Sequence, residues 1–397
     1  MDEKLRFIAA CLREESAMSA VCEGFGISRQ WGYELLRRYR SEGAAGLVPR
    51  SRAPVRPGRS MADGMAQEIV RLRCARPNWG PKKLRAFLQA TVPGAAWPAA
   101  STIGDLLRRE GLSAPRRRRR TALPLTRPFA PVRSPGDLWC IDFKGWFRTR
   151  DGTRCDPLTL SDADSRFLID CRIVAPTAAG VRPVVEAAFR EHGLPRAIRS
   201  DNGPPFAGSG AGGLSRLSVE WVKLGVRLER TDPGCPQQNG RHERMHGTLK
   251  AETARPPAAD ATRQQRRFDA FRHDFNHVRP HEALGQATPA SRYALSPRPY
   301  PASSAEPNYD ADHAVRRVRS NGEIRWGGDL IFVSEVLVGE PVGVAETDAG
   351  DWIIRFADLP LGVIDRRTHK LRRFTAARPG RREAEQNQKS VNDPNGL

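Results

Sequence analysis

Three Pro-, Gly- and Arg-rich breaks divide this chain, and no single core can run through them. Residues 43–60 read GAAGLVPRSRAPVRPGRS. Pro115 is followed by five arginines, Arg116, Arg117, Arg118, Arg119 and Arg120. Residues 297–308 hold four prolines in a Ser-rich run. Proline removes a backbone donor and glycine adds chain entropy, so such runs end helices and strands. The breaks and the patterns between them divide the chain into 1–45, 46–63, 64–115, 116–135, 136–295, 296–312, 313–373 and 374–397. The second, fourth and sixth of these read as linkers and the last as a disordered tail. At 397 residues the chain has length for several domains.

Charge points to a polyanionic partner. The formal net charge is +20. Residues 1–135 hold 26 Lys/Arg against 11 Asp/Glu, so the N-terminal third carries most of the excess. Such a surplus attracts nucleic acid by steering and counterion release. No basic amphipathic helix or lipidation signal points to a membrane, and no apolar run is long enough to span one. The start, MDEKLRFIAACLREE, is acidic where a secretory leader would be basic. The seven cysteines are odd in number and lack a C-x-x-C, which reads as reduced thiols. The expectation is a cytoplasmic, nucleoid-associated protein.

Segment 1–45 reads as a helix-turn-helix. Helices over 3–15 and 18–24 precede the turn Gly24-Phe25-Gly26, and Ser28 is placed to cap a helix from Arg29 to Tyr39. That last helix presents Arg29, Gln30, Tyr33 and Arg37 as candidate DNA contacts. Segment 64–115 reads as a second helical DNA-binding module, with helices over 64–76 and 81–90 and a third capped by Ser101. Ser101 and Thr102 are its candidate contacts. Arg116–Arg120 are placed to touch phosphates without reading sequence.

From 136 the texture changes. Strands over 138–143, 157–161, 167–174, 196–200 and 226–230 and helices over 179–191, 213–224, 239–254 and 263–277 form an α/β sheet covered by helices. Past residue 313, short β runs separated by Gly-containing turns read as a small β-barrel.

Three carboxylates fall where chemistry would use them. Asp142 lies in the first strand, Asp201 just past the fourth, and Glu243 in the first turn of a helix. Carboxylates gathered from separate elements bind hard divalent cations through oxygen. Two such ions can activate an attacking oxygen and stabilise a leaving one at a phosphodiester.

The surrounding words carry a resemblance. Trp139-Cys140-Ile141-Asp142-Phe143, Arg199-Ser200-Asp201-Asn202-Gly203-Pro204-Pro205-Phe206 and Pro236-Gln237-Gln238-Asn239-Gly240-Arg241-His242-Glu243 resemble the integrase core. That core is the catalytic domain of retroviral integrases and many bacterial insertion-sequence transposases. Thr248-Leu249-Lys250 and the run Asn276-His277-Val278-Arg279-Pro280-His281-Glu282-Ala283-Leu284-Gly285, followed by Thr288-Pro289-Ala290, are similar to the bacterial branch. The resemblance is strong over 136–295. It implies a multidomain protein: N-terminal all-α helix-turn-helix modules, a central α/β ribonuclease-H-like core with a mixed sheet, and a C-terminal small β-barrel.

The resemblance also implies a D-D-E site in which Asp142, Asp201 and Glu243 hold two Mg²⁺ or Mn²⁺ ions. Lys250 matches a family position that contacts transposon-end DNA. Gly247 stands where retroviral relatives often have a basic residue. The 41 residues between Asp201 and Glu243 exceed the retroviral spacing, and the Gly-rich Ala207–Leu214 can hold the surplus.

A rival reading attaches to the same helix. His242-Glu243-Arg244-Met245-His246 matches H-E-x-x-H, the zinc-peptidase pattern. Against it stand Asn239-Gly240 just before His242, Gly247 just after His246, the flanking Arg241 and Arg244, and the lack of a marked third ligand. The sequence-based reading is a DNA transposase. It binds double-stranded DNA, both terminal repeats and target, as at least a dimer, and performs metal-dependent strand cleavage and transfer. The alternatives are a DNA-binding regulator with an inactive integrase-like core and, more remotely, the zinc peptidase.

Overall fold

The computed structural model describes residues 2–49, 61–113, 132–231 and 240–374. Arg116–Arg120, Cys235, the run Pro236–Asn239 and the tail from 375 lie outside the described residues. The chain divides into two compact units, Met1–Asp63 and Gly64–Leu397.

The first unit holds α1 (Asp2–Leu12), α2 (Met18–Gly24), α3 (Arg29–Glu42) and a 3-10 turn, Gly43–Leu47. Phe7, Ile8, Val21, Cys22, Leu35, Leu36 and Leu47 form its core. Ser28 caps α3 as the sequence implies, accepting from the Trp31 N–H. Arg29, Gln30, Tyr33 and Arg37 are exposed, while Gly32, Leu35 and Leu36 face inward. Structure continues past Gly43, where the sequence suggested a linker. Gly46 packs on the end of α3, where an added Cβ would stand 2.5 Å from the Arg38 carbonyl oxygen, and Leu47 then enters the core.

The second unit opens with α4 (Asp63–Ala75), α5 (Pro81–Thr91) and α6 (Ala100–Arg109). These helices bury Ile69, Leu72, Trp79, Leu84, Leu88, Ile103, Leu106 and Leu107. Ser101 is not the cap expected of it. Ala99 holds that position without a side-chain bond, and Ser101 and Thr102 sit exposed inside the first turn of α6. Two ion pairs, Arg76–Asp274 and Lys82–Glu282, each 2.5 Å, tie this helical module to the central domain.

The central sheet has the order β5-β4-β1-β6-β7. Its strands are β1 (Leu138–Phe143), β4 (Pro157–Asp162), β5 (Leu168–Ile173), β6 (Ala197–Ser200) and β7 (Arg227–Arg230). A short hairpin of β2 (Phe147–Arg148) and β3 (Arg154–Cys155), not foreseen from the sequence, follows β1. β1 pairs antiparallel with β4 and parallel with β6, so the sheet is mixed. The parallel pairings need crossovers, which α7 (Ala178–His192) and α8 (Arg216–Lys223) supply. Their apolar faces close one core with Trp139, Ile141, Leu158, Leu160 and Ile198.

A second layer, α9 (Gly240–Thr253) and α10 (Ala261–His273) with its π turn Asp274–Val278, packs Met245, Leu249, Phe268, Phe271 and Phe275 on Leu168 and Cys171. Here α10 also covers the outer edge of β5. Asn276 accepts from the Leu168 N–H and donates to its carbonyl. Gln265 does the same between Ile173 and Cys171, and Arg272 donates to the Ile169 carbonyl. An edge strand that would otherwise offer free backbone groups is thereby satisfied by side chains.

The C-terminal strands do not close into the expected barrel. β8 (Ala314–Arg317), β11 (Pro341–Glu346), β12 (Trp352–Phe356), β13 (Leu359–Ile364) and β14 (Leu371–Arg373) form an open sheet with β8 and β14 at its edges. β9 (Glu323–Trp326) and β10 (Asp329–Phe332) pair only as a separate hairpin. Closure is unnecessary because a segment of the central domain fills the gap. Ala211, Leu214 and Val219 enter the core made by Ile324, Ile331, Val342, Val344, Ile354, Phe356 and Leu361. The Gly-rich stretch after Asp201 is therefore a docking element, reinforced by Lys223–Glu340 at 2.9 Å and by Arg373 donating to the Ser209 carbonyl.

Candidate active site

The sheet register brings two of the three carboxylates level. Leu138, Trp139 and Cys140 of β1 stand opposite Ala197, Ile198 and Arg199 of β6. Extending that parallel register by two residues sets Asp142 beside Asp201. On the other side Asp142 is the direct partner of Thr159 in β4. Glu243 comes from the first turn of α9 and is exposed.

Burial, the charge of Asp201 and the charge of Glu243 together push the Asp142 carboxyl up to about 7. An acid raised first by burial and then by two carboxylate neighbours marks a candidate functional site. The oxygen donors suit a hard divalent cation. Asp201 is steadied locally, with its Oδ1 accepting from the Gly203 N–H at 3.1 Å.

Two basic residues beside the acids were not singled out by the sequence. Arg230, at the end of β7, donates to Ser200 Oγ and the Phe206 carbonyl. Burial lowers its pKa to about 10, while the charge of Asp201 acts to raise it. Lys144, two residues past Asp142, is half-buried. Burial lowers its pKa, and the like charges of Lys250 and Arg255 act the same way. Lys250 thus stands near the acids together with Lys144. Lys144 lies two residues past Asp142 and Arg230 closes the strand paired with β6, and basic residues at strand ends are too common in a chain of charge +20 to stand out.

The two histidines of the H-E-x-x-H match are buried, His242 at 3% and His246 at 7% exposure. Both Nε2 atoms meet one hydroxyl: Thr159 Oγ1 is 2.7 Å from His242 and 2.6 Å from His246. The same hydroxyl lies 3.1 Å from the Asp142 carbonyl oxygen, and Ser161 Oγ is 2.9 Å from His242 Nδ1.

A hydroxyl has one proton and two lone pairs. All these contacts are satisfied together only if Thr159 donates to the carbonyl and both imidazoles donate from Nε2. Ser161 then donates to His242 Nδ1. That leaves His246 Nδ1 as a bare acceptor, 4.0 Å from Asp142 Oδ2. Burial is the first cause holding both rings neutral, lowering His242 to about 4 and His246 to about 2.

Among the described residues, Asp142, His242 and His246 are the one group whose possible ligand atoms lie within 4.8 Å of one another. This is not the zinc-peptidase arrangement. Glu243 is outside the group, both nitrogens of His242 are engaged, and the histidines face the sheet behind Asp142.

The remaining sequence candidates are dispersed. Arg29, Gln30, Tyr33 and Arg37 lie on α3 in the first unit, and Ser101 and Thr102 on α6. Among the described residues no helix is long and apolar enough to cross a membrane.

Comparison with known proteins gives three family matches. Residues 224–289 match an integrase core domain, 31–107 a homeodomain-like domain and 3–54 a helix-turn-helix domain. An uncharacterized 31.7 kDa protein of insertion element IS407 from Burkholderia multivorans is 29% identical over 57% of this chain and 79% of its own length. An uncharacterized 39.2 kDa protein of insertion element IS476 from Xanthomonas euvesicatoria is 30% identical over 44% of this chain. The match spans about half, 48%, of that relative. The HTLV-2 integrase catalytic core domain, solved in complex with magnesium, aligns to 41% of this chain and 98% of its own, with 15% identity and a TM-score of 0.32. The chain is thus similar to proteins of bacterial insertion elements, and within it residues 224–289 match an integrase core domain.

Proposed function

We propose that this chain binds the terminal repeats of a mobile element and catalyses metal-dependent strand cleavage and strand transfer through Asp142, Asp201 and Glu243. One observation carries the reading. The Asp142 carboxyl is raised to about 7 by burial and by the charges of Asp201 and Glu243. Burial is the larger cause, and acids from β1, the end of β6 and α9 close enough for Asp201 and Glu243 to act on Asp142 suit a site meant for cations.

Two Mg²⁺ or Mn²⁺ ions held there would polarise the phosphodiester and favour both attacking and leaving oxygens. The chain's own residues position the rest. Arg230 supports the end of β6 beside Asp201, and Lys144 and Lys250 offer positive charge to phosphates entering from the α9 side. Water, and then a DNA 3′-hydroxyl, attacks in line, so no covalent protein–DNA link is needed. The exposed faces of α3 (Arg29, Gln30, Tyr33, Arg37) and α6 (Ser101, Thr102) would read the ends, and Arg116–Arg120 would contact phosphates. Pairing two ends calls for at least a dimer, working at the nucleoid in the cytoplasm.

The experiment is end-bearing DNA with Mg²⁺ or Mn²⁺ and the variants Asp142→Asn, Asp201→Asn and Glu243→Gln. Each should lose cleavage and joining while keeping DNA binding. Joining by any of the three removes that residue from the assignment. A protein that binds but never cuts with all three acids intact would be a regulator.

A further inference from the structure

Trp146 is 57% exposed, four residues beyond Asp142. A large aromatic in water next to a candidate active site calls for an explanation that core packing does not give. Its neighbours do the packing: Phe143 lies against the core beneath the sheet, and Phe147 meets Phe268 edge-on. Gly145, with φ +82°, turns the chain between them.

The hairpin that carries the indole is held firmly. Phe147 and Arg148 of β2 pair with Cys155 and Arg154 of β3, and the Arg150 and Asp151 N–H groups donate to the Ala258 and Ala259 carbonyls, each at 3.0 Å. Two guanidinium groups lie over the ring, Arg154 at 5.2 Å and Arg148 at 5.8 Å from its centroid. They differ in tether. Arg154 makes a two-point contact with Asp156, both at 2.8 Å, which fixes it. Arg148 makes one bond, to the Gly152 carbonyl.

We infer that Trp146 is a stacking platform for an unpaired nucleobase of the DNA next to the reacting phosphodiester. Arg154 supports the indole, and Arg148 leaves the ring to take a phosphate. An exposed indole flanked by arginines is the chemistry that binds bases without reading their edges. The base must be unpaired, because the faces of bases inside a duplex are already covered. Four residues of chain reach at most about 14 Å, so the platform lies within a few nucleotides of Asp142. Lys144, two residues before Trp146 in the chain, feels the charges of Asp142, Lys250 and Arg255, so further positive charge gathers beside the acids.

This inference rests on the proposed DNA-processing function. Its test is direct binding by the full-length protein in Ca²⁺, with two random-sequence probes: a blunt duplex, and the same duplex with a single-stranded 3′ overhang carrying 2-aminopurine. Wild type should prefer the overhang about tenfold and quench the 2-aminopurine emission. Trp146→Ala should lose both effects while binding blunt duplex as before, and Trp146→Phe should restore part of each. Preference and quenching that survive Trp146→Ala overturn the inference, as does an equal loss on both probes. If wild type binds neither probe, the DNA-processing reading itself falls, and this with it.

Discussion

His246 Nδ1 stands 4.0 Å from Asp142 Oδ2 while its Nε2 lies 2.6 Å from Thr159 Oγ1. The hydroxyl that fixes this ring also meets His242 and the Asp142 carbonyl oxygen. Thr159, fully buried, therefore orients the surroundings of Asp142. Replacing it by Val leaves both imidazoles without their acceptor, and outer-shell losses of this kind typically weaken metal affinity about 10- to 100-fold. We expect Thr159→Val to lower Mn²⁺ affinity on that scale by titration calorimetry, and Thr159→Ser to restore most of it. Unchanged affinity in the Val variant would show that the histidine pair is only packing.

The raised Asp142 carboxyl predicts a pH dependence with a definite sign. Below about 7 the folded protein holds a proton that a cation must displace. Mn²⁺ affinity should fall about tenfold per pH unit below that value and level off above it. The same group opposes folding near neutrality. Its folded value is raised above 3.8, so its favourable contribution is present at low pH and lost as pH rises towards 7. Added Mg²⁺ should therefore raise the melting temperature more at pH 8 than at pH 5. Equal increments at the two pH values would remove Asp142 from the site.

The words around Asp142, Asp201 and Glu243 and the strand–helix order of 138–277 were legible because each is a local pattern. What was not legible depends on convergence. His242 and His246 looked like a metal box or an accident, and only the placement of Thr159 across β4 gives them a role. The β2–β3 hairpin has two residues per strand, too short for any periodicity. The β runs after 313 carry the alternation and turns of a barrel. The Gly-rich segment that spares them closure lies about a hundred residues earlier in the sequence. Ser101 looked like a cap because Ser is a good one, yet the cap position of α6 is Ala99, two residues sooner.

Asn276 tests how the sheet edge is held. Its amide is 3% exposed and makes both available bonds to Leu168, at 2.8 and 2.9 Å. Asn276→Ala strands a buried N–H and a buried carbonyl and opens a small cavity. The expected cost is roughly 2–4 kcal/mol, read from denaturant unfolding, with hydrogen exchange rising first in β5. A loss within experimental error would mean that Gln265 and Arg272 hold the edge without it.

Gly212 tests the docking element between the central sheet and the C-terminal strands. Its φ is +64°, and an added Cβ would stand 3.0 Å from the Cδ2 atoms of both Leu359 and Leu361. Gly213 has a similar φ, +62°, but an added Cβ there meets only the Gly208 carbonyl oxygen, at 3.9 Å. Alanine at either position carries the left-handed backbone cost of about 1–2 kcal/mol. Only at 212 does it also crowd the core, which adds about 1–3 kcal/mol. Gly212→Ala should therefore be the more destabilising of the two. Its effect should appear in the C-terminal domain, as faster hydrogen exchange in β13 at a concentration of denaturant where β1 is still protected. Equal losses in the two variants would mean that backbone conformation alone matters there, and that Leu359 and Leu361 do not sense the insert.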